Sequence, residues 1–239
     1  GVPFLTIEAD EHSADAGMIT RCEAFLDSLS TPSVQTGSSP AALSGGCPGT
    51  LNGRTIWVPR LGPGSRLVAA AARRRGIDAR EMPPTDRESV ALGRTVTSGK
   101  ECYPAIITSG NMLKVLKEND PERTAFFMGT ASVPCRLGQY CAYHRILLDR
   151  AGYSSVPILT SSSRDSYTSV PGLNSLSFQI DLLRGTVCAD ILKAALRRIS
   201  PYEKRKGDAR RAYESSMKLV EEAMESGEGL LEAMKRSAA

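Results

Sequence analysis

The stretch "RTIWVPRLGPGSRLVAAAARRRGIDAREMP" (Arg54–Pro83) decides the fold. "RTIWVPRL" reads as a buried strand, and Gly62, Pro63 and Gly64 break it. "GSRLVAAAARRRG" follows with apolar residues at helical spacing and stops at a glycine after three arginines. "IDAREMP" then opens a second strand. Strand, helix and strand in this order predict two parallel strands joined by a right-handed crossover.

The pattern continues downstream. A polar loop leads to the helix "CYPAIITSGNMLKVLKEN", then "RTAFFMG" runs into "RLGQYCAYHRILLDRAG", and "SSVPILTS" closes the series. Residues 54–165 are therefore expected to form an α/β domain with a Rossmann- or flavodoxin-like parallel sheet. From about Leu173 the pattern is helical only, so 166–239 reads as a charged helical C-terminal region, broken at Pro201, Gly207 and Gly227–Gly229. Upstream, "PFLTIEAD" (Pro3–Asp10) reads as a buried strand. Ala16–Leu29 reads as a helix with an apolar face of Met18, Ile19, Cys22, Phe25, Leu26 and Leu29. Residues 30–53, rich in Ser, Gly and Pro, read as a linker.

With 239 residues, 41% of them hydrophobic, the chain is long enough for one large domain or two small ones. It shows no apolar run of the roughly 18 residues a membrane span needs and no signal-peptide pattern. It opens at Gly1 without Met and reads as a processed or excised piece. A net charge of +4 is mild and does not by itself imply nucleic acid. The six cysteines form no CxxC pair and no dense framework, which points to thiols in a reducing, cytoplasmic setting.

Two of those cysteines repeat a pattern. Cys102 in "TSGKECYPAIITSG" and Cys135 in "TASVPCRLGQYC" lie 33 residues apart, each past a strand or its loop and at a helix start. Pro104 suits a first helical turn. Backbone amides and the positive end of the helix dipole favour a thiolate there. In a parallel sheet such starts share one edge, where ligands bind. If the two units pair side by side, their strands are about 4.8 Å apart and two thiolates can meet on one metal cluster. The plainer alternative is two small apolar residues packed at helix starts.

Other candidates are weaker. Cys141 is a possible third ligand, but six residues of helix set it roughly 240° around from Cys135. Cys22 and Cys188 sit on apolar helix faces and read as core thiols, and Cys47 in "GGCPG" as a loop thiol. "DEH" (Asp10–His12) ends the first strand without metal-ligand spacing and reads as a turn, while His144 reads as a packed residue. "RLGPGSRL" has Gly62 and Gly64 between strand and helix, but Leu67 stands where a dinucleotide motif needs glycine. GxxxxGK[ST] and GxSxG are missing from the sequence. The eight basic residues from Lys193 to Arg211 come with one aromatic, Tyr202, and read as a solvated helix face rather than a nucleic-acid surface.

Several of these stretches carry a family resemblance. "PFLTIEADEH…AGMITRCEAFLDSL" resembles the closing strand and helix of 2-hydroxyacyl-CoA dehydratase subunits, with their "P-x-L-x-I-x-x-D" strand and "TR-x-E-A-F" helix. "SGKECYP", "VPCRLGQY" and "SPYEKRKG" are similar to the larger multidomain CoA-substrate-specific enzyme activases, a group that includes double-cubane iron–sulfur proteins. Their motifs are "SG-x-EC-x-P" and "GPCRFGQY". Val133 and Leu137 depart from the family's Gly and Phe, and neither removes a thiolate.

The resemblance implies that Cys102 and Cys135 ligate an iron–sulfur cluster of 4Fe–4S or double-cubane type, in a site that is incomplete in this chain. It implies that 1–29 closes a preceding dehydratase-like unit. It also implies an actin-like, ATP-dependent activator as partner, as a domain or a separate protein.

The expected function is thus an electron-transfer component of a dehydratase or activase system, with a homodimer as one form of the assembly and neither nucleic acid nor membrane as partner. No catalytic residue is assigned. The alternatives are a non-redox acyl-CoA or nucleotide-binding domain, with Gly62–Ser65 at the ligand, and a scaffold module that docks a partner through its C-terminal helices.

Overall fold

The structure, a computed structural model, describes residues 5, 7, 15–30, 53–130, 135–161, 173 and 175–238. The chain divides into two compact units, Gly1–Ser44 and Gly45–Ala239. In the first, α1 (Asp15–Ser30) confirms the expected helix. Of the expected Pro3–Asp10 strand only Leu5 and Ile7 are described, and neither is in a strand; Leu5 is exposed. A strand needs a neighbour to take its backbone hydrogen bonds, and the sheet of the described residues does not include these two. Cys22, expected in a core, is exposed, as is Ile19. Periodicity marks an apolar face but not what lies against it. The linker, His12 and Cys47 fall outside the described residues.

The second unit is built on four parallel strands in the order β2-β1-β3-β4. These are β1 (Thr55–Val58), β2 (Ala79–Glu81), β3 (Thr124–Gly129) and β4 (Ile158–Ser161). Ile56 pairs with Ala79 and Ala125, and Phe126 with Ile158. The step from β1 to β2 goes one way and the steps to β3 and β4 go back. Right-handed crossovers then place α2 (Gly64–Arg73) on one face. They place α4 (Tyr103–Glu118) and α5 (Tyr140–Arg150) on the other. The strand side chains divide accordingly. Ile56, Val58, Ala125 and Leu159 pack with α2. Phe126, Met128 and Ile158 pack with α4 and α5.

The helical C-terminal region forms a further layer over α2. It comprises α6 (Leu176–Ile199), α7 (Asp208–Ser226) and α8 (Leu230–Ala238), with ends where Pro201, Gly207 and Gly227 predict them. Ala69, Ala70, Ala71 and Ala72 are fully buried, and their short side chains let α2 lie between sheet and helices. Phe178, Ala189, Met217, Val220 and Met224 close over Leu67. Glu214, Glu221 and Glu225 of α7 face the arginines of α2. Arg66 pairs with Glu214 and Glu221 at 2.9 Å, and Arg73 with Glu221 at 3.0 Å and Glu225 at 2.9 Å. Asp181 of α6 takes both Arg74 and Arg75. The basic residues Arg197, Arg198, Lys204, Arg205, Lys206, Arg210 and Arg211 are exposed, as a solvated face requires.

The expected polar loop before α4 contains a helix, α3 (Arg87–Val96). Asp86 caps it, accepting from the Ser89 N–H at 2.8 Å and the Ser89 hydroxyl at 3.0 Å, and pairs with Lys114 of α4. The residues the helix buries are Ser89 and Gly93, both small. Its contact is backbone against backbone. A Cβ on Gly93 would lie 2.1 Å from the Ile106 carbonyl oxygen, and one on Gly110 would lie 1.7 Å from that of Ser89.

Gly110→Ala is therefore expected to separate the two helices and cost about 3 kcal/mol, the upper end for forced overpacking. Urea denaturation followed by circular dichroism reads this, and an unchanged midpoint would contradict the close contact.

Candidate functional site

Helices that join parallel strands run back along the sheet, so α4 and α5 both start at the carboxyl ends of the strands. Cys102 is the N-cap of α4, with extended backbone at φ −66° and ψ 146°. Its carbonyl accepts from the Ala105 N–H at 2.9 Å, and Pro104 lies in the first turn. Its thiol makes no capping bond. Sγ instead lies 2.8 Å from the Tyr140 hydroxyl.

Cys135 is exposed and caps the 3₁₀ turn Arg136–Gln139, which runs into α5. The Thr130 hydroxyl donates to the Gly138 carbonyl at 2.7 Å and fixes that turn to the end of β3. Arg136 Nη1 donates to the Lys100 carbonyl at 3.4 Å, which ties the Cys135 turn to the loop before Cys102.

Tyr140, only 5% exposed, is the partner of Cys102 and follows the turn that Cys135 opens. Burial pushes its phenol well above the usual range. The hydrogen bond to Cys102 and the charges of the Cys102 and Cys135 thiolates act in the same direction. The phenol thus stays protonated and is the donor whenever Cys102 is a thiolate.

The route that brings the two turns together differs from the expected one. The strand before Cys102 is β2, and β1 separates it from β3. Helix α3 also intervenes between β2 and Cys102. The cysteines approach through neighbouring helix starts on one sheet face rather than through neighbouring strands.

Cys141 takes a different direction. The α-helix begins at Tyr140, so Cys135 and Cys141 do not share one helix and the angular argument between them does not apply. Cys141 packs in the apolar cluster beside Thr160 of β4, and burial pushes its thiol up. Cys188 is half-buried against the α2 cluster, close to its expected role, and burial raises it as well. Gly62–Ser65 stands at the carboxyl end of β1, where Ser65 Oγ accepts the Leu61 N–H at 3.1 Å. Among the described residues no group of three or more His, Cys, Asp or Glu side chains is placed to hold a metal ion. Cys102 and Cys135 are two thiols, and a four-cysteine iron–sulfur site needs four.

A polar layer lies behind the cysteines, and sequence reasoning assigned it no role. Glu101 accepts from the Ser98 N–H at 3.1 Å and the Ser98 hydroxyl at 3.0 Å. The first of these does most to hold its carboxyl down to about 2. Tyr143 is pushed up by burial and then by the Glu101 carboxylate. The available signals were adjacency, Glu101 to Cys102, and the one-face spacing of Tyr140, Tyr143 and His144.

His144 is packed, as expected, at 1% exposure, edge-on to the Tyr140 ring at 5.6 Å. Its Nε2 lies 3.0 Å from Thr108 Oγ1, whose proton goes to the Pro104 carbonyl at 2.9 Å or that of Ala105 at 3.1 Å. Nε2–H is therefore the donor, and Nδ1 is a buried acceptor without a hydrogen-bond partner.

Burial pulls His144 down to about 4 from 6.5. The folded state holds the neutral ring while the unfolded chain takes a proton below about 6.5. Its contribution is complete above pH 6.5 and is lost as pH falls through 6.5 towards 4, on the order of 3 kcal/mol in total. Denaturation midpoints should fall across that window in the wild-type protein and fall less in His144→Asn. Equal profiles would contradict the buried neutral ring.

Comparison with protein-family models, curated proteins and solved structures finds no match to this chain.

Proposed function

We propose that Cys102 and Cys135 are two ligands of an iron–sulfur cluster, and that the chain is an electron-transfer component of a 2-hydroxyacyl-CoA dehydratase or activase-type system. The observation that carries the reading is the placement of both cysteines at neighbouring helix starts on the carboxyl edge of the sheet, their turns joined by the Arg136–Lys100 hydrogen bond. The residues fit a partial site. Two thiols at helix starts, one half-buried and one exposed, suit a cluster completed by thiolates from outside the described residues. A bound cluster of this kind accepts and passes on single electrons.

The protein's own part is to hold two thiolates and to supply a hydrogen bond at Cys102. Its apolar side is the cluster around Met82, Ala105, Met128 and Tyr140. The electron source in this reading is an ATP-driven, actin-like activator, and the acceptor is a CoA-ester substrate or a second cluster. Two copies of the chain provide one way to complete the site. The setting proposed is the reducing cytoplasm; no helix among the described residues is long and apolar enough to cross a membrane.

Anaerobic reconstitution with ferrous iron and sulfide tests the reading. The wild-type chain is expected to turn brown with partial occupancy and to show sulfur-to-iron charge-transfer absorbance. Cys102→Ala and Cys135→Ala should each remove the iron, and Cys188→Ala should keep it. Equal iron in all three variants at equal folding would overturn the assignment, and an acyl-CoA or nucleotide ligand at Gly62–Ser65 would then be the reading to pursue.

A further inference from the structure

We infer that Tyr140 is a positioning residue for Cys102: its hydroxyl donates to Sγ, holds the thiolate towards the site, and makes the two cysteines chemically unequal. Where it concerns a cluster, the inference rests on the ligand assignment above. Its basis in the molecule is independent of iron. Tyr140 is the first residue of α5 and is nearly fully buried, so its ring cannot follow a moving thiol. The neighbouring His144 ring stands edge-on against it, and the His144 ring is itself tied to Thr108 of α4. The phenol therefore reaches Cys102 from a fixed frame that spans both helices. Cys102 Sγ has that partner at 2.8 Å and is half-buried, while Cys135 is exposed.

The chemical consequence follows from charge. A donor aimed at a thiolate withdraws charge from sulfur and occupies one of its lone pairs. The anchored thiolate is then a weaker nucleophile than the exposed one when both are ionised. The same hydrogen bond on a cluster ligand stabilises the reduced, more negative state, so it raises the potential. Tyr140 thereby favours acceptance of an electron at the site it holds.

Two measurements test this. In metal-free protein at about pH 10 ordinary thiols are ionised, and an ionised Cys102 leaves the Tyr140 hydroxyl, 2.8 Å from Sγ, as the proton donor of the pair. Iodoacetamide labelling, mapped by peptide mass, gives the rate at Cys102 relative to Cys135 within one sample. Wild type should label Cys135 faster. Tyr140→Phe, which keeps the ring, should raise the Cys102 to Cys135 ratio several-fold, while Tyr143→Phe leaves it unchanged. An unchanged or lower ratio in Tyr140→Phe overturns the inference.

In reconstituted protein, Tyr140→Phe should keep its iron and show a lower midpoint potential in a dye-mediated redox titration. An unchanged potential overturns the role at the cluster. Failure of the wild-type protein to take up iron would strike the cluster reading alone, because the labelling ratio is measured without metal.

Discussion

Helices α3 and α4 touch through their backbones at Gly93 and Gly110, and the candidate site depends on that contact. The Ser89 carbonyl sits where any side chain at 110 would stand, and the Ile106 carbonyl where any at 93 would stand. Such an approach fixes the two helix axes closely and leaves the turn between them little freedom. That turn carries Ser98, Glu101 and Cys102, and the Glu101–Ser98 hydrogen bonds close it on itself. The Asp86–Lys114 pair and the Asn111–Thr85 bond secure the other end of the hairpin. Cys102 is thus set by the packing of two helices, and Tyr140 meets it from a third.

A second constraint acts on the opposite face. Four consecutive alanines of α2 permit a sheet on one side and the C-terminal helices on the other. The half-exposed ion pairs of Arg66, Arg73, Arg74 and Arg75 add directional choice more than stability. They select which helix faces α2, and the apolar contacts of Met217, Val220 and Met224 supply the main stabilisation. The helical region is therefore a layer of the same unit, not a loosely attached tail.

Much of this was legible in the sequence because it rests on local signals. Apolar runs punctuated by glycine and proline located β1 to β4, and the breaks at Pro201, Gly207 and Gly227 located the ends of α6 and α7. Helix α3 was not legible because its buried contact is made by Ser89 and Gly93, small residues that do not announce a packed face in a polar stretch. The strand order was not legible either, since the interval between Cys102 and Cys135 says nothing of β1 inserting between β2 and β3. The two thiols were identified by their helix-start positions. The Cys102 partner Tyr140 was hidden, because a contact over 38 residues has no local signature.

The central claim is that Cys102 and Cys135 form one site. A trivalent arsenical such as phenylarsine oxide binds two thiols at once only when both reach a single arsenic atom. Added to the reduced, metal-free protein and followed by intact mass and peptide mapping, it should form one bridge joining the Cys102 and Cys135 peptides. Arsenic bound to either cysteine alone, or a bridge involving Cys141 or Cys188, would contradict the account.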